Sequence, residues 1–220
     1  MDLIRADFDR IARAGCEGAP DVSLLRHLPR NLEVALEIGC GTGGLSTLLA
    51  ERAQRVIAID LSPEMIARAP RRPNLEYRVE DAQTCALPEA DCIVSAATLH
   101  HLPFEETLQK LARALKPGGI LVVHDLFRDD GLFDRALSAI ALTRRLFQRR
   151  NRPTPEQRAA WAEHAKHDHF LTMPEVRRRA RAVLPGVVIE RHLEWRYTLR
   201  WTKPARGAVP PAPEGASNPA

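Results

Sequence analysis

Five short apolar runs recur between residues 33 and 127: EVALEI (33–38), RVIAID (55–60), LEYRVED (75–81), ADCIVSAA (90–97) and ILVVHDLF (120–127). Short helical patterns lie between them. Leu45, Leu48 and Leu49 share one face of a helix ending near Arg52. In LSPEMIARA, Ser62 can cap a helix that has Pro63 at its first position. PFEETLQKLARALK sets Leu108, Leu111 and Leu115 in helical register before PGG turns the chain. Strands alternating with helices through short links demand a parallel sheet covered on both faces. Beyond residue 130 the period changes. Residues 130–170 read as helices broken around NRPTPEQ, and Thr172 and Glu175 stand in capping-box spacing at the head of another helix. VVIERHL (187–193) and RYTLRW (196–201) are separated by a link too short for a crossover, so they pair antiparallel. Residues 1–32 read as mainly helical.

At 220 residues, with 45% hydrophobic and 27% charged side chains, the chain has the size and make-up of one globular domain. No run reaches the roughly 18 apolar residues of a membrane span, and the acidic start MDLIRADFDR does not read as a secretory signal. Cys16, Cys40, Cys85 and Cys92 form no C-x-x-C pair and no disulfide framework. They read as free thiols in a reducing compartment, the cytoplasm. Charge is divided unevenly, with 16 Lys/Arg against 21 Asp/Glu up to Thr143 and 16 against 7 beyond it. The basic half, with RRLFQRRNRP and RRRARAV, reads as a solvated helix face. The alternative is a surface for an acidic partner or membrane.

LEIGCGTGGLS (36–46) ends the first strand. Gly39, Gly41 and Gly44 fit G-x-G-x-x-G, but no Lys or Arg accompanies them, so this is not a P-loop. In an open α/β sheet the first βα turn is where ligands settle. Glu37 discriminates between ligands there. A carboxylate at the strand tip repels a pyrophosphate and attracts an ammonium or sulfonium, by roughly 4 kcal/mol at 4 Å in a partly screened site.

These residues resemble the first motif of class I S-adenosylmethionine-dependent methyltransferases, and the similarity continues. VIAIDLSPEMIARA resembles the family's second strand, whose terminal acid, here Asp60, holds the ribose hydroxyls, with Leu61 following it. VEDAQTCALP resembles the segment that meets the adenine, here at Asp81 and Ala82. ADCIVSAATLHHLP is similar to the fourth strand and its loop, with Ala96 at the strand end, and LKPGGILVVHDL is similar to the turn into strand five. The resemblance spans residues 33–203. It implies a Rossmann-like three-layer sandwich with a mostly parallel seven-stranded sheet of order 3-2-1-4-5-7-6. It also implies S-adenosylmethionine as cofactor, held by Glu37, Gly39, Cys40, Gly41, Asp60, Leu61, Asp81, Ala82 and Ala96. For Cys40 the backbone N–H is expected to matter more than the thiol. One domain over 1–203 is expected, with residues 126–172 as a helical lid and 204–220 as a flexible Pro/Ala-rich tail. FDRIARA (8–14) resembles the family's leading helix, which folds over the cofactor.

Methyl transfer is an in-line displacement that needs orientation above all. A general base is needed only where the nucleophile keeps its proton until attack. His101 or His124 is the expected base or orienter, on the loops after strands four and five; the family often has a His at the position of His101. No metal is required. On a helix His164 and Asp168 would share a face, but a packed lid segment explains WAEHAKHDHF better than a metal pair does. Trp161 and Phe170 suggest an apolar wall. A small-molecule acceptor with an O, N or C nucleophile is the leading reading. Its alternatives are an RNA or protein methyltransferase using the basic half, and a catalytically silent cofactor-binding partner. SAAT (95–98) stands where N-P-P-Y would mark a base-amino target, and no nucleic-acid module is recognisable. A dehydrogenase is opposed by Glu37 and by the antiparallel finish.

Overall fold

Apolar side chains on the central strands alternate between two cores, which is why both faces of the sheet are covered. On β1 (Leu32–Ile38), Leu36 and Ile38 enter one core and Ala35 the other, while Leu32 at the strand start packs with Ala35 outside that alternation. β2 (Ala53–Asp60) divides Ile57 and Ile59 from Val56 and Ala58 in the same way. β4 (Ala90–Ala96) divides Ile93 from Cys92 and Val94. This two-residue period on buried strands is what a sheet between two helical layers requires. A computed structural model describes residues 2–15, 20, 22–129 and 153–205. Cys16, residues 130–152 of the expected lid and residues 206–220 of the expected tail lie outside these described residues.

The sheet has seven strands in the order β3-β2-β1-β4-β5-β7-β6, as the resemblance implied. β3 is Leu75–Val79, β5 is Leu115–Leu126, β6 is Val188–Arg191 and β7 is Arg196–Thr202. β1 pairs parallel with β2 on one side and with β4 on the other. β7 lies antiparallel to both β5 and β6. The chain therefore runs outward from β1 to β3 and returns to β4, opening a crevice beyond the carboxyl ends of β1 and β4.

The helices follow their local signals. α1 is Asp2–Arg13, α2 is Gly44–Leu49 and α3 is Pro63–Ala67. α3 is capped as expected, with Ser62 Oγ accepting from the Met65 N–H at 3.1 Å. α4 (Phe104–Ala114) buries Phe104, Leu108 and Leu111 against the sheet. α5 (Pro155–His164) starts at a Thr154–Gln157 capping box, and α6 (Met173–Val183) at the expected Thr172–Glu175 box. Among the described residues no helix is long and apolar enough to cross a membrane, and Cys40, Cys85 and Cys92 are free thiols.

Several boundaries differ from the sequence expectation. β5 begins at Leu115, before PGG. Ala90 pairs with Leu115 but Cys92 with Ile120, so the intervening residues bulge from the ladder, with Gly118 at φ +80°. The N-terminal region is helical only to Arg13, then forms a 3₁₀ turn over Val22–His27. β6 stops at Arg191, because the hairpin closes through left-handed Glu194 and Trp195. α5 ends at His164, so Asp168 lies in the irregular segment beyond the turn that follows rather than on a helix.

Candidate functional site

A cavity of about 700 Å³ occupies the crevice, within the size range of sites that enclose small ligands. Every residue expected at the site lines it. Glu37, Gly39, Cys40 and Gly41 come from the end of β1, and Asp60 and Leu61 from the end of β2. Asp81, Ala82 and Ala96 follow from the loop after β3 and the end of β4. His101 and His124 border the same space.

The glycine loop is bound to β2. The N–H groups of Gly39 and Cys40 both donate to the Ile59 carbonyl, at 2.8 and 3.1 Å. The Gly41 N–H donates to Asp60 Oδ2 at 2.7 Å, and the Ser62 N–H to Oδ1 at 2.8 Å. These amides shape the loop, so the Cys40 N–H serves the fold. Burial pushes the Cys40 thiol well above its ordinary value, so the thiol stays protonated. Two glycines are required by close approach. A Cβ on Gly39, at φ +73°, would stand 2.0 Å from Thr98 Oγ1, and one on Gly43, at φ +75°, would stand 2.1 Å from the Tyr77 hydroxyl.

Glu37 is 2% exposed and accepts the Ser46 hydroxyl at 2.5 Å. Burial pushes its carboxyl up to about 8, against the opposing pull of that hydrogen bond, with Asp60 adding repulsion. The ligand-free site thus holds a carboxyl that a cation would ionise. Burial likewise raises Asp60, partly offset by the N–H groups it accepts. Three backbone N–H groups, of Ser62, Gly41 and Leu61, leave its carboxylate with acceptor capacity for a hydroxyl donor.

Residues from distant elements close the cavity. α1 contributes Ile4, Phe8 and Ile11, and α5 contributes Trp161. Gln157 of α5 donates to the Ala14 and Gly15 carbonyls at 3.2 and 3.1 Å, tying the end of α1 to α5. His101, in the 3₁₀ turn Leu99–His101, is packed edge-on to Phe8 with ring centroids 5.4 Å apart. Burial, followed by repulsion from His100, His164 and His169, drives its pKa down to about 3. A ring so reluctant to hold a proton suits orientation or ligation better than general-base work. His124 is buried, with Nδ1 3.1 Å from Thr198 Oγ1.

Residues 36–123 match the family "Methyltransferase domain". An uncharacterised methyltransferase of Mycobacterium tuberculosis is 30% identical over 196 residues, covering 84% of this chain and 94% of its own length. The chain belongs to the S-adenosylmethionine-dependent methyltransferases. A ubiquinone biosynthesis O-methyltransferase of Xanthomonas oryzae is 32% identical over 146 residues, covering 60% of this methyltransferase and 61% of the relative. The N-methyltransferase NodS of Bradyrhizobium japonicum, solved in complex with S-adenosyl-L-homocysteine, shares the fold at a TM-score of 0.56 and 22% identity, covering 83% of this chain and 84% of its own. S-adenosylmethionine is the cofactor of this methyltransferase.

Sequence patterns did not reveal several contributors to the site. Lys110 on α4 donates from Nζ to the Ala82 and Gln83 carbonyls, at 2.8 and 2.9 Å, and so positions the loop after β3. Nothing in a polar helix position signals that role. Glu194 and Arg196 reach the cavity from the β6–β7 hairpin. Replacing Lys110 by Met removes two charge-assisted hydrogen bonds, each worth roughly 1.5–3 kcal/mol. With partial compensation by water, the thermal midpoint is expected to fall by a few degrees, about 2–4 °C per kcal/mol lost, and calorimetry to show cofactor binding weakened about 10-fold. Unaltered affinity would show that the loop holds its shape unaided.

Proposed function

We propose that this methyltransferase acts on a small acceptor with a largely apolar body, attacked through an oxygen, nitrogen or carbon nucleophile. One observation carries this reading: the cofactor motifs and the apolar residues of α1 and α5 line the same cavity. A donor and a compact acceptor fit under such a roof, whereas a folded RNA or protein would have to displace it. On α6, Arg179 is paired with Glu105 and Glu175, and the exposed Arg177, Arg178 and Arg181 suit a solvated helix face. The O-methyltransferase named for ubiquinone biosynthesis among the relatives agrees with an acceptor of this kind.

S-adenosylmethionine supplies the methyl group and a sulfonium leaving group, and the chain supplies placement. Glu37 faces the cationic part of the cofactor, Asp60 the ribose hydroxyls, and Asp81 with Ala82 the adenine. Gly39, Cys40, Gly41, Leu61 and Ala96 shape the surface against it. His101 and His124 flank the acceptor. Placing the acceptor in line behind the methyl carbon and keeping water out are the main contributions to rate. α1 and the 153–172 part of the expected lid provide the cover. The unpaired cysteines suit a cytoplasmic setting.

The test is release of S-adenosylhomocysteine across a panel of phenols, hydroquinones, amines, bulk tRNA and peptides. Turnover is expected with small apolar acceptors only, lowered about 10-fold or more by His101→Ala, as loss of an orienting group commonly is. Turnover confined to tRNA or peptides would overturn the proposal.

A further inference from the structure

Beside the cavity, and independent of which acceptor is used, the structure gathers more metal-type donors than methyl transfer requires. We propose that His100, His101 and Asp168, with His164 as a fourth ligand, form a binding site for one divalent transition ion of the zinc class. Asp168 Oδ1 stands 3.9 Å from His100 Nε2, 3.6 Å from His101 Nδ1 and 3.4 Å from His164 Nε2. The Asp168 oxygen and both ring nitrogens of His101 are buried with no hydrogen-bond partner. The three histidine side chains are 7%, 3% and 4% exposed. A buried carboxylate oxygen among unsatisfied imidazoles is costly as it stands. One donor atom from each of His100, His101 and Asp168 lies within 4.8 Å of the other two. Ligands held about 2.0–2.1 Å from a tetrahedral ion lie about 3.3 Å apart, so rotations of these side chains toward a common centre complete the set.

The tautomer of His100 supplies an independent argument. Its Nδ1 is 2.6 Å from Asp125 Oδ1. The Asp125 carboxylate also accepts the N–H groups of His100 and Leu126, both at 2.8 Å. An ionised carboxylate only accepts, so His100 Nδ1 carries the hydrogen. Nε2 is then the ring nitrogen left for a ligand, and it lies 3.9 Å from Asp168 Oδ1, so a cation placed between them would be held by both. A carboxylate holding the far nitrogen is also how metal-binding imidazoles are commonly oriented. Mixed imidazole and carboxylate donors favour zinc, cobalt or nickel over magnesium or calcium, which prefer all-oxygen sets.

The ligands come from two parts of the fold, the turn after β4 and the end of α5 with the segment that follows it. A bound ion would fasten the roof to the sheet directly beside His101, which borders the cavity. His164 and Asp168 form only a pair in sequence, because His100 and His101 join them from far away in the chain.

The test uses the full chain with its affinity tag removed, stripped by a chelator and titrated with Zn²⁺ and Co²⁺ by calorimetry and visible absorption. One ion per chain is expected, with cobalt bands of a low-coordinate nitrogen–oxygen site. The thermal midpoint should rise by about 5–10 °C at 100-fold saturation. Asp168→Asn should weaken binding at least 100-fold while the metal-free protein keeps or gains stability, because the amide can hydrogen-bond where the buried Oδ1 now has no partner. His101→Gln serves if Asp168→Asn does not fold. His169→Ala, an exposed neighbour outside the donor set, should bind as the parent does. No binding of either ion, or equal binding by the parent, Asp168→Asn and His101→Gln, would overturn the proposal.

Discussion

Gly39→Ala is expected to lower the thermal midpoint sharply and to abolish cofactor binding. The added methyl meets Thr98 Oγ1 at 2.0 Å, Cγ2 at 2.5 Å and Cβ at 2.7 Å, and the residue must hold φ +73°. The left-handed backbone alone costs an alanine about 1–2 kcal/mol, and overpacking adds about 1–3 kcal/mol. For a chain of this length a loss of about 3 kcal/mol lowers the midpoint by roughly 6–12 °C. The loop cannot yield cheaply, because Gly39, Cys40 and Gly41 are all fastened to β2 or to Asp60. A second substitution separates the two penalties. Thr98→Gly removes every atom in the overlap, so the double variant should regain the steric part and keep only the dihedral cost. Gly41→Ala is the counterpart: at φ +52° its Cβ meets nothing within 4 Å. It should cost about 1–2 kcal/mol of stability while still impairing cofactor binding. A Gly39→Ala protein with parental melting and affinity would disprove the account of this loop.

Cofactor binding is expected to release about one proton near pH 7, through Glu37. Its carboxyl titrates at about 8 in the ligand-free fold because it is buried, whereas the cofactor's α-amino group titrates near 7.7–8.0 and is cationic below that. Ionising Glu37 against a bound ammonium means losing its proton on binding. Affinity should therefore climb about 10-fold per pH unit between pH 6 and 7.5 and level off near 8. Stability of the free protein runs the other way. The folded pKa lies above the unfolded one, so the unfolded chain is the better acid. The contribution is fully present below about pH 4.5 and is lost as pH rises toward about 8. At pH 7 that loss is on the order of 3 kcal/mol. Glu37→Gln removes the titration. It should leave the free protein as stable or more so at pH 7, yet weaken the cofactor about 100-fold, equivalent to about 2.7 kcal/mol. Calorimetry in two buffers of different ionisation enthalpy counts the proton directly. Binding without proton release, and unchanged in Glu37→Gln, would show that Glu37 does not face the cofactor's cationic part.

Both predictions rest on residues legible in the sequence alone. A carboxylate two residues ahead of a glycine cluster, an apolar run ending in Asp60, and five strand-like segments in order are local signals. Each depends on side-chain period or on a turn's conformational demand, and these act over a few residues. The alternation of strands and helices and the caps at Ser62 and Thr172 follow from them, whereas the sheet order and the set of residues around the cavity came from the family resemblance. The segment ends were less legible. β5 starts early because a bulge carries PGG inside the strand, and α5 ends at His164 because the chain turns there.

What no local pattern contained was convergence. Lys110 reaches the loop after β3 only because α4 packs beside it. His164 and Asp168 meet His100 and His101 only because α5 is laid over the turn after β4. The sequence by itself determined the layers and the glycine-loop and strand-end motifs, since periodicity and turn chemistry are short-range, and its family resemblance supplied the strand order. The tertiary structure decided which buried polar atoms lack hydrogen-bond partners, because desolvation acts only once distant segments share the same space.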